Sequence, residues 1–217
     1  MEDRCENLKG EKIKLKRTYI TAISLQGLGG LEKGLYQPDG FELEKNMETS
    51  FPIIPIIANT MGNVEDVQII AIRTENNDVK DNYHAFLMEL ESLGIKEACV
   101  KSISMEENQN KVIGLSTMMR VLEEIPEDSL VYADITFGTK PMSALILYAM
   151  NCVEALKDTE VEGIFYGELP RTKGQSIWKK AKLYDLTAYK YLTGIAHQLK
   201  ELEVSNPTAA LKSLIEK

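Results

Sequence analysis

The chain has two histidines, one tryptophan, three cysteines, no surplus of basic residues, and no apolar run long enough to cross a bilayer. Each shortage excludes something. His84 and His197 lie far apart, and both fit surface or packing roles on helices, so no metal centre is expected and no cofactor is implied. Cys5, Cys99 and Cys152 show no CxxC spacing, and the odd count argues against a disulfide framework. Cys99 and Cys152 sit in apolar stretches, where a buried inert thiol is expected. The net charge is −8 and the pI about 5.0. Direct binding to duplex nucleic acid needs a basic face to replace phosphate counterions, and none is present. A small anion remains compatible, because local donors outweigh a global field that salt screens over about 8 Å. A membrane helix needs roughly 20 apolar residues, and no segment approaches that. The chain opens on acidic residues without a leader-like apolar core, and a cytoplasmic protein is expected.

What is present describes a folded chain. Of its 217 residues, 44% are apolar and 27% charged, the composition of a globular protein with a sizeable core. A single domain is expected: a charged lead-in over 1–16, an α/β core over about 18–186, and a helical tail from about 187 to 217. Thr18–Ser24 (TYITAIS), Val67–Ile72, Ala98–Ile103, Leu130–Ile135 and Val161–Tyr166 read as short buried strands, and Lys182–Leu186 as a short last one. Between them lie helical patterns. Tyr83, Phe86, Leu87 and Leu90 share one face before Gly94, and Leu115, Met118, Met119 and Leu122 share another. An apolar helix runs from Pro141 to about Leu156. Pro52 and Pro55 suit the first turn of a further helix. Pro38-Asp39-Gly40 is a turn signal between strand-like pieces, which implies a hairpin inserted after the first strand. Gly174 reads as a turn between the last two strands. The fold class is therefore α/β, a Rossmann-like, mostly parallel sheet with helices on both faces.

In such sheets ligands bind beyond the carboxyl ends of the strands. Two loops there carry the candidate chemistry. One follows the first strand, with Ser24, Leu25, Gln26 and Gly27 running into Leu28-Gly29-Gly30. The other follows the fourth strand, Asp134-Ile135-Thr136-Phe137-Gly138-Thr139-Lys140-Pro141-Met142. Gly138 permits close backbone approach. Thr136 and Thr139 supply hydroxyls and Lys140 a cation, while the next helix offers the positive end of its dipole. Two readings stay open on chemistry alone: a polar-anion site, or a helix start whose threonines satisfy local amides while Lys140 is solvated. Asp134 suits a role holding the loop through hydrogen bonds. Arg73 and Thr74, after the second strand, are further candidates, although a solvated arginine fits equally. Trp178 and Tyr184 fit packing at the sheet edge, with base stacking as the other reading.

Familiar nucleotide motifs fail. Gly138 precedes Thr139-Lys140-Pro141 rather than the Gly-Lys-Ser/Thr of a phosphate loop. Gly27-Leu28-Gly29 opens a dinucleotide fingerprint that Glu32 breaks, and Gly114–Met118 lacks the last glycine of a nucleophile elbow.

Three segments together resemble the CRISPR-associated Rossmann fold (CARF) family. TYITAISLQGLGG followed by Tyr36-Gln-Pro-Asp-Gly40 is similar to the family's first strand, short Gly loop and Tyr-containing hairpin. DITFGTKPMSALILYAM resembles its Asp-x-Thr-x-Gly loop and the Thr-Gly-Gly-Thr-Lys-x-Met variant, with Phe137 where Gly or His is common. AKLYDLTAYKYL resembles its closing strand and helix. The resemblance spans roughly residues 18–200. It implies a homodimer that senses a cyclic oligoadenylate of type III CRISPR defence, cyclic tetra-adenylate or hexa-adenylate, lying across the two-fold axis. On that resemblance the ligand contacts are Ser24, Leu25, Gln26, Gly27, Arg73, Thr74, Thr136, Phe137, Gly138, Thr139, Lys140 and Met142. Some relatives cleave the ring without a metal; in that case Lys140 and Thr139 are the catalytic candidates. Most relatives carry an effector domain. The helical tail is too short for one, so either the unit works alone or an effector domain or partner lies outside this chain. An ordinary nucleotide-using enzyme of doubly wound fold is the third reading.

Overall fold

A computed structural model describes residues 15–26, 31–168 and 181–215. Five strands build the parallel centre: β1 (Lys16–Ala22), β5 (Val67–Arg73), β6 (Val100–Ser104), β7 (Ser129–Asp134) and β8 (Thr159–Glu168). Four shorter strands complete the set: β2 (Gly34–Leu35), β3 (Gln37–Asp39), β4 (Glu48–Thr49) and β9 (Lys182–Asp185). The helices are α1 (Ile53–Thr60), α2 (Asn77–Ser92), α3 (Lys111–Glu124), α4 (Lys140–Leu156), α5 (Thr187–Glu201) and α6 (Pro207–Ile215). Among the described residues the main sheet has the order β3-β9-β8-β7-β1-β5-β6. Its pairings are parallel except β8 with β9. The Rossmann-like, mostly parallel sheet read from the sequence is therefore the fold. No described helix is long and apolar enough to cross a membrane.

β1 is central, and its β-branched run is buried on both faces, as a covered parallel strand requires. Alternation sorts its side chains. Tyr19 joins Ile69, Ala71 and Tyr132 in one core under α1 and α2. Ile20 and Ala22 join Ile70, Ile72, Val131 and Ala133 in the other, under α3 and α4. In the first core the Tyr19 and Tyr132 rings stack at 5.1 Å. The Tyr19 hydroxyl lies 2.8 Å from Thr60 Oγ1, which ties the strand to the end of α1.

Three expectations need correction. The segment after β1 is not a hairpin turning at Pro38-Asp39-Gly40. Its antiparallel pair is β2 with β4, and Gln37–Asp39 is the outermost strand of the main sheet, beside β9. Proline has no N–H to offer a neighbour, so an edge is where a strand tolerates it. On α3 the buried residues are Thr117, Val121 and Leu122, while Leu115 and Met119 stand about half exposed. The apolar arc in the sequence is wider than the face the sheet covers. Cys99 and Cys152 are free and half-buried rather than sealed in the core.

Lys182–Asp185 forms the last strand, and α2 buries Phe86 and Leu90 with Tyr83 and Leu87 at their flank. At the C-terminal end, α5 is fastened to β8: Leu186 N–H donates to Ile164 O (2.7 Å) and Ile164 N–H to Thr187 Oγ1 (2.9 Å). Neither α5 nor α6 has a buried residue. Cys5, the turn at Gly174 and Trp178 lie outside the described residues.

Candidate functional site

The chain winds from β1 outward to β5 and β6, then crosses back to place β7 on the other side of β1. That reversal makes the junction of β1 and β7 the switch point of the sheet, where neighbouring loops diverge and leave a crevice. Parallel register sets Thr21 opposite Asp134, so the loops after both strands leave from one rim. The two candidate loops are neighbours.

The β7–α4 loop is built around Asp134. Its carboxylate is fully buried and accepts from Thr21 Oγ1 (3.0 Å), Thr136 N–H (2.9 Å) and the Thr136 hydroxyl. The Thr136 oxygen in turn accepts from Gly167 N–H at the end of β8 (2.7 Å). One carboxylate thereby joins β1, β7 and β8. Burial pushes the Asp134 carboxyl up to about 6, against the opposing pull of the hydrogen bonds from Thr136 and Thr21.

Gly138 turns the chain into α4 with φ +87°, a left-handed conformation that favours glycine. A Cβ here would lie 2.8 Å from Ala22 Cβ and 2.9 Å from Met142 Sδ, so a side chain has no room either. The backbone of this loop rests directly on β1. Thr139 is the N-cap of α4: its hydroxyl accepts from Met142 N–H (3.4 Å) and donates to Gln109 Oε1. The Gln109 contact brings the start of α3, capped by Asn110, beside the start of α4. Lys140 is exposed and forms no ion pair with the described residues, at the positive end of a 17-residue helix.

The β1 loop is held differently. Ser24 is buried and its Oγ accepts from Gln26 N–H (3.2 Å). The Asn82 amide, reaching from α2, donates to Ser24 O (2.9 Å) and Gln26 O (2.5 Å). Asn82 is itself fully buried, and its Oδ1 has no hydrogen-bond partner among the described residues. Gln26 is exposed; Gly27 lies outside the described residues.

The other candidates divide. Thr136, Phe137, Gly138 and Thr139 are half-buried along the rim, with Phe137 edge-on to Phe51 at 6.1 Å. Leu25 packs on the core below. Met142 is fully buried, so its side chain supports the Gly138 turn from beneath instead of facing solvent. Thr74 is buried and close to Asn76 (3.4 Å). The Arg73 guanidinium is engaged by Ser102 Oγ (2.7 Å), Glu75 (3.5 Å) and the Tyr83 ring (5.1 Å to its centre). Tyr184 stacks on Tyr166 (6.3 Å) and donates to Glu168 (2.8 Å), a packing role at the sheet edge. His84 and His197 are exposed on different helices. Among the described residues no three His, Cys, Asp or Glu side chains gather as a metal site would require.

Four residues that support the rim were not among the site candidates read from the sequence, although Tyr36 belongs to the segment that carries the family resemblance. Asn82 clamps the first loop. Gln109 braces Thr139. Tyr36 is fully buried against Gly167, where a Cβ would approach its ring to 3.0 Å. Its hydroxyl has no hydrogen-bond partner among the described residues and is pushed up by burial and by the nearby charges of Asp134 and Glu89. Glu89 accepts from the Thr49 hydroxyl and Ser50 N–H (3.3 Å), fastening the insertion to α2. Only Asn82 left a readable trace: it falls on the apolar stripe of Val79 and Phe86, where a polar side chain needs partners.

Fold and rim together define a doubly wound α/β protein with polar loops meeting at its switch point. Compared with known proteins, the chain matches no family model and no curated protein.

Proposed function

We propose that the chain is a cyclic oligoadenylate sensor of type III CRISPR defence, acting as a cytoplasmic homodimer with cyclic tetra-adenylate or hexa-adenylate across its two-fold axis. The observation that carries this is the shared rim. The turns of Gln26 and Lys140 leave adjacent parallel strands, and the Gly138 backbone lies against Ala22. In an otherwise acidic protein, Lys140, exposed at the start of α4 and without an ion pair among the described residues, marks one place where phosphate is favoured. Gln26 supplies an amide for ribose or base. A ring of identical nucleotides has rotational symmetry, so an isologous dimer presents each loop twice to equivalent groups. The sequence resemblance to CARF domains supplies the identity of the ring.

Isothermal calorimetry with each ring tests the proposal. Micromolar or tighter binding, one ring per dimer, supports it. Absence of heat with both rings, alongside measurable NAD or ATP binding, would replace it with an ordinary nucleotide-using enzyme.

The exposed ammonium of Lys140, without an ion pair among the described residues, also favours a second reading, a ring nuclease. A ribose 2′-OH held in line would attack its own phosphorus and expel the 5′ oxygen. The products are a linear oligoadenylate with a 2′,3′-cyclic phosphate at one end and a 5′-hydroxyl at the other. Lys140 would stabilise the developing charge. Thr139, whose hydroxyl is committed to capping α4, would hold the loop. Chromatography of the ring after incubation with EDTA decides: linear product supports cleavage, and an intact ring leaves a sensor alone.

A further inference from the structure

The ion pairs among the described residues use other carboxylates, and the fully buried Asp134 is balanced by hydrogen bonds alone. A buried charge without a counter-charge is costly unless donors surround it. The two oxygens of this carboxyl are held unequally. Oδ1 accepts both bonds from Thr136, the N–H at 2.9 Å and the hydroxyl. Among the described residues Oδ2 accepts from Thr21 Oγ1 alone, at 3.0 Å. The Thr21 hydroxyl has a second acceptor within reach, Ala22 O at 3.4 Å. A proton on Oδ2 is therefore accommodated by one hydroxyl rotation: Oδ2–H donates to Thr21 Oγ1, and Thr21 donates to Ala22 O. The Thr136 bonds stay as they are, and with them the bond from Gly167 N–H to Thr136 Oγ1 (2.7 Å). Protonation removes a charge from beneath the rim without moving the loop.

The surroundings supply no compensating charge. β1 presents Thr21 to the carboxyl, and β8 presents the Gly167 backbone through Thr136. Glu168, next on β8, is bonded to Tyr184 (2.8 Å). The inserted segment presents Tyr36, whose hydroxyl is pushed up by burial and by the charges of Asp134 and Glu89. On α2, Glu89 accepts from Thr49 and Ser50, with Lys33 at 4.0 Å. Lys140, at the first position of α4, is exposed. We propose that Asp134 is a proton switch for anions: ionised beneath the empty rim, it takes up a proton when phosphate settles at the start of α4, so that a polyanion binds more tightly as pH falls. Like charges at close range disfavour each other's ionised form, and the buried carboxyl with a ready acceptor is the one that yields. Such coupling is reciprocal. An anion that raises the proton affinity of Asp134 is itself bound more tightly once the proton is in place. Burial already holds this carboxyl up at about 6, so small changes of pH near neutrality shift its population. The identity of the anion as an oligoadenylate ring rests on the proposed sensor; the carboxyl and its two hydroxyl partners stand on the geometry of β1 and β7.

Calorimetry with cyclic tetra-adenylate and hexa-adenylate from about pH 5.5 to about pH 8, in two buffers of unequal ionisation enthalpy, tests it. A phosphodiester does not titrate over that range, so a proton taken up belongs to the protein. The wild type should take up protons on binding, and its dissociation constant should rise about 10-fold across the range, as a coupling of about one pKa unit requires. Asp134→Asn, whose amide donates to Thr21 as the protonated acid would, should bind with one affinity throughout, tighter than the wild type at the alkaline end. A residue that only holds the loop would give the opposite, weaker binding by the variant at every pH. Circular dichroism confirms that the variant is folded. Should it fail that check, carbon NMR of the Asp134 carboxyl in the wild-type chain needs no variant: its midpoint should rise when a ring is added. Binding without proton uptake, a slope retained by Asp134→Asn, or a carboxyl midpoint that ring binding leaves unmoved overturns the switch and leaves the sensor standing. No heat with either ring at any pH removes the sensor, and the switch with it.

Discussion

The two loops that meet at the switch point are fixed in opposite ways. The β7–α4 loop is held mainly from within its own sequence: Asp134 holds Thr136, Gly138 makes the turn, and Thr139 caps the helix. Outside help comes from Thr21, Gly167 and Gln109. Past Ile23, whose N–H still donates to Ile72 O (2.8 Å), the described part of the β1 loop is fastened by the Asn82 amide, which comes from more than fifty residues away. A locally held loop is a preorganised part of a site, whereas a loop fastened by one side chain can be released by one substitution. Perturbing each fastening in turn separates what the rim needs to fold from what it needs to bind.

The largest effect belongs to Gly138. Replacing it with valine forces a branched side chain into a left-handed conformation and against Ala22. The variant should lose about 2–4 kcal/mol of stability in urea unfolding. A loss below about 0.5 kcal/mol would mean that the turn is not pressed against β1.

Asp134 comes next. Its carboxyl is held up at about 6 in the folded chain against an ordinary 3.8. The folded state therefore holds the proton more tightly, and this contribution to stability is complete below 3.8. It is lost as pH rises through the window up to about 6, by roughly 3 kcal/mol at most. Asp134→Asn should remove that slope in urea titrations between those pH values, and an unaltered slope would assign it to other groups.

Asn82→Ala strips the donors from the Ser24 and Gln26 carbonyls and should cost about 1–3 kcal/mol. Unlike the Gly138 change, it should weaken ring binding even where the chain remains folded. Lys140→Ala is the smallest in stability, within about 0.5 kcal/mol of wild type in the same urea assay. Yet it should weaken ring binding by about 1–3 kcal/mol if its hydrogen bonds to phosphate are buried.

The same contrast explains what the sequence disclosed. Strands such as TYITAIS and VQIIAI are β-branched and largely apolar because both faces of a central parallel strand are covered, so the fold class was readable from such runs alternating with helical patterns. The TFGTKP loop was readable because its turn, cap and cation sit side by side. The contacts of Asn82, Gln109 and Tyr36 were not, since each acts on a loop distant in sequence; the most the sequence offers is a polar Asn82 on the apolar stripe of α2, which calls for partners without saying which. The insertion after the first strand was read in its place, but its turn was misplaced for a related reason. Pro38-Asp39-Gly40 carries turn chemistry, but the pairing of Gln37–Asp39 with β9 is decided by a strand that arrives much later in the chain. The exposed half of α3 shows the same limit: periodicity reveals an apolar face without saying how much of it the sheet will cover.

Calorimetric titration of the wild-type chain with cyclic tetra-adenylate and hexa-adenylate, beside folded Asn82→Ala and Lys140→Ala, asks whether both turns grip one guest. Tight binding by the wild type, weakened by a change in either turn, is the result expected. Loss from only one of the two, or a wild type that takes up neither ring, would dissolve the shared site.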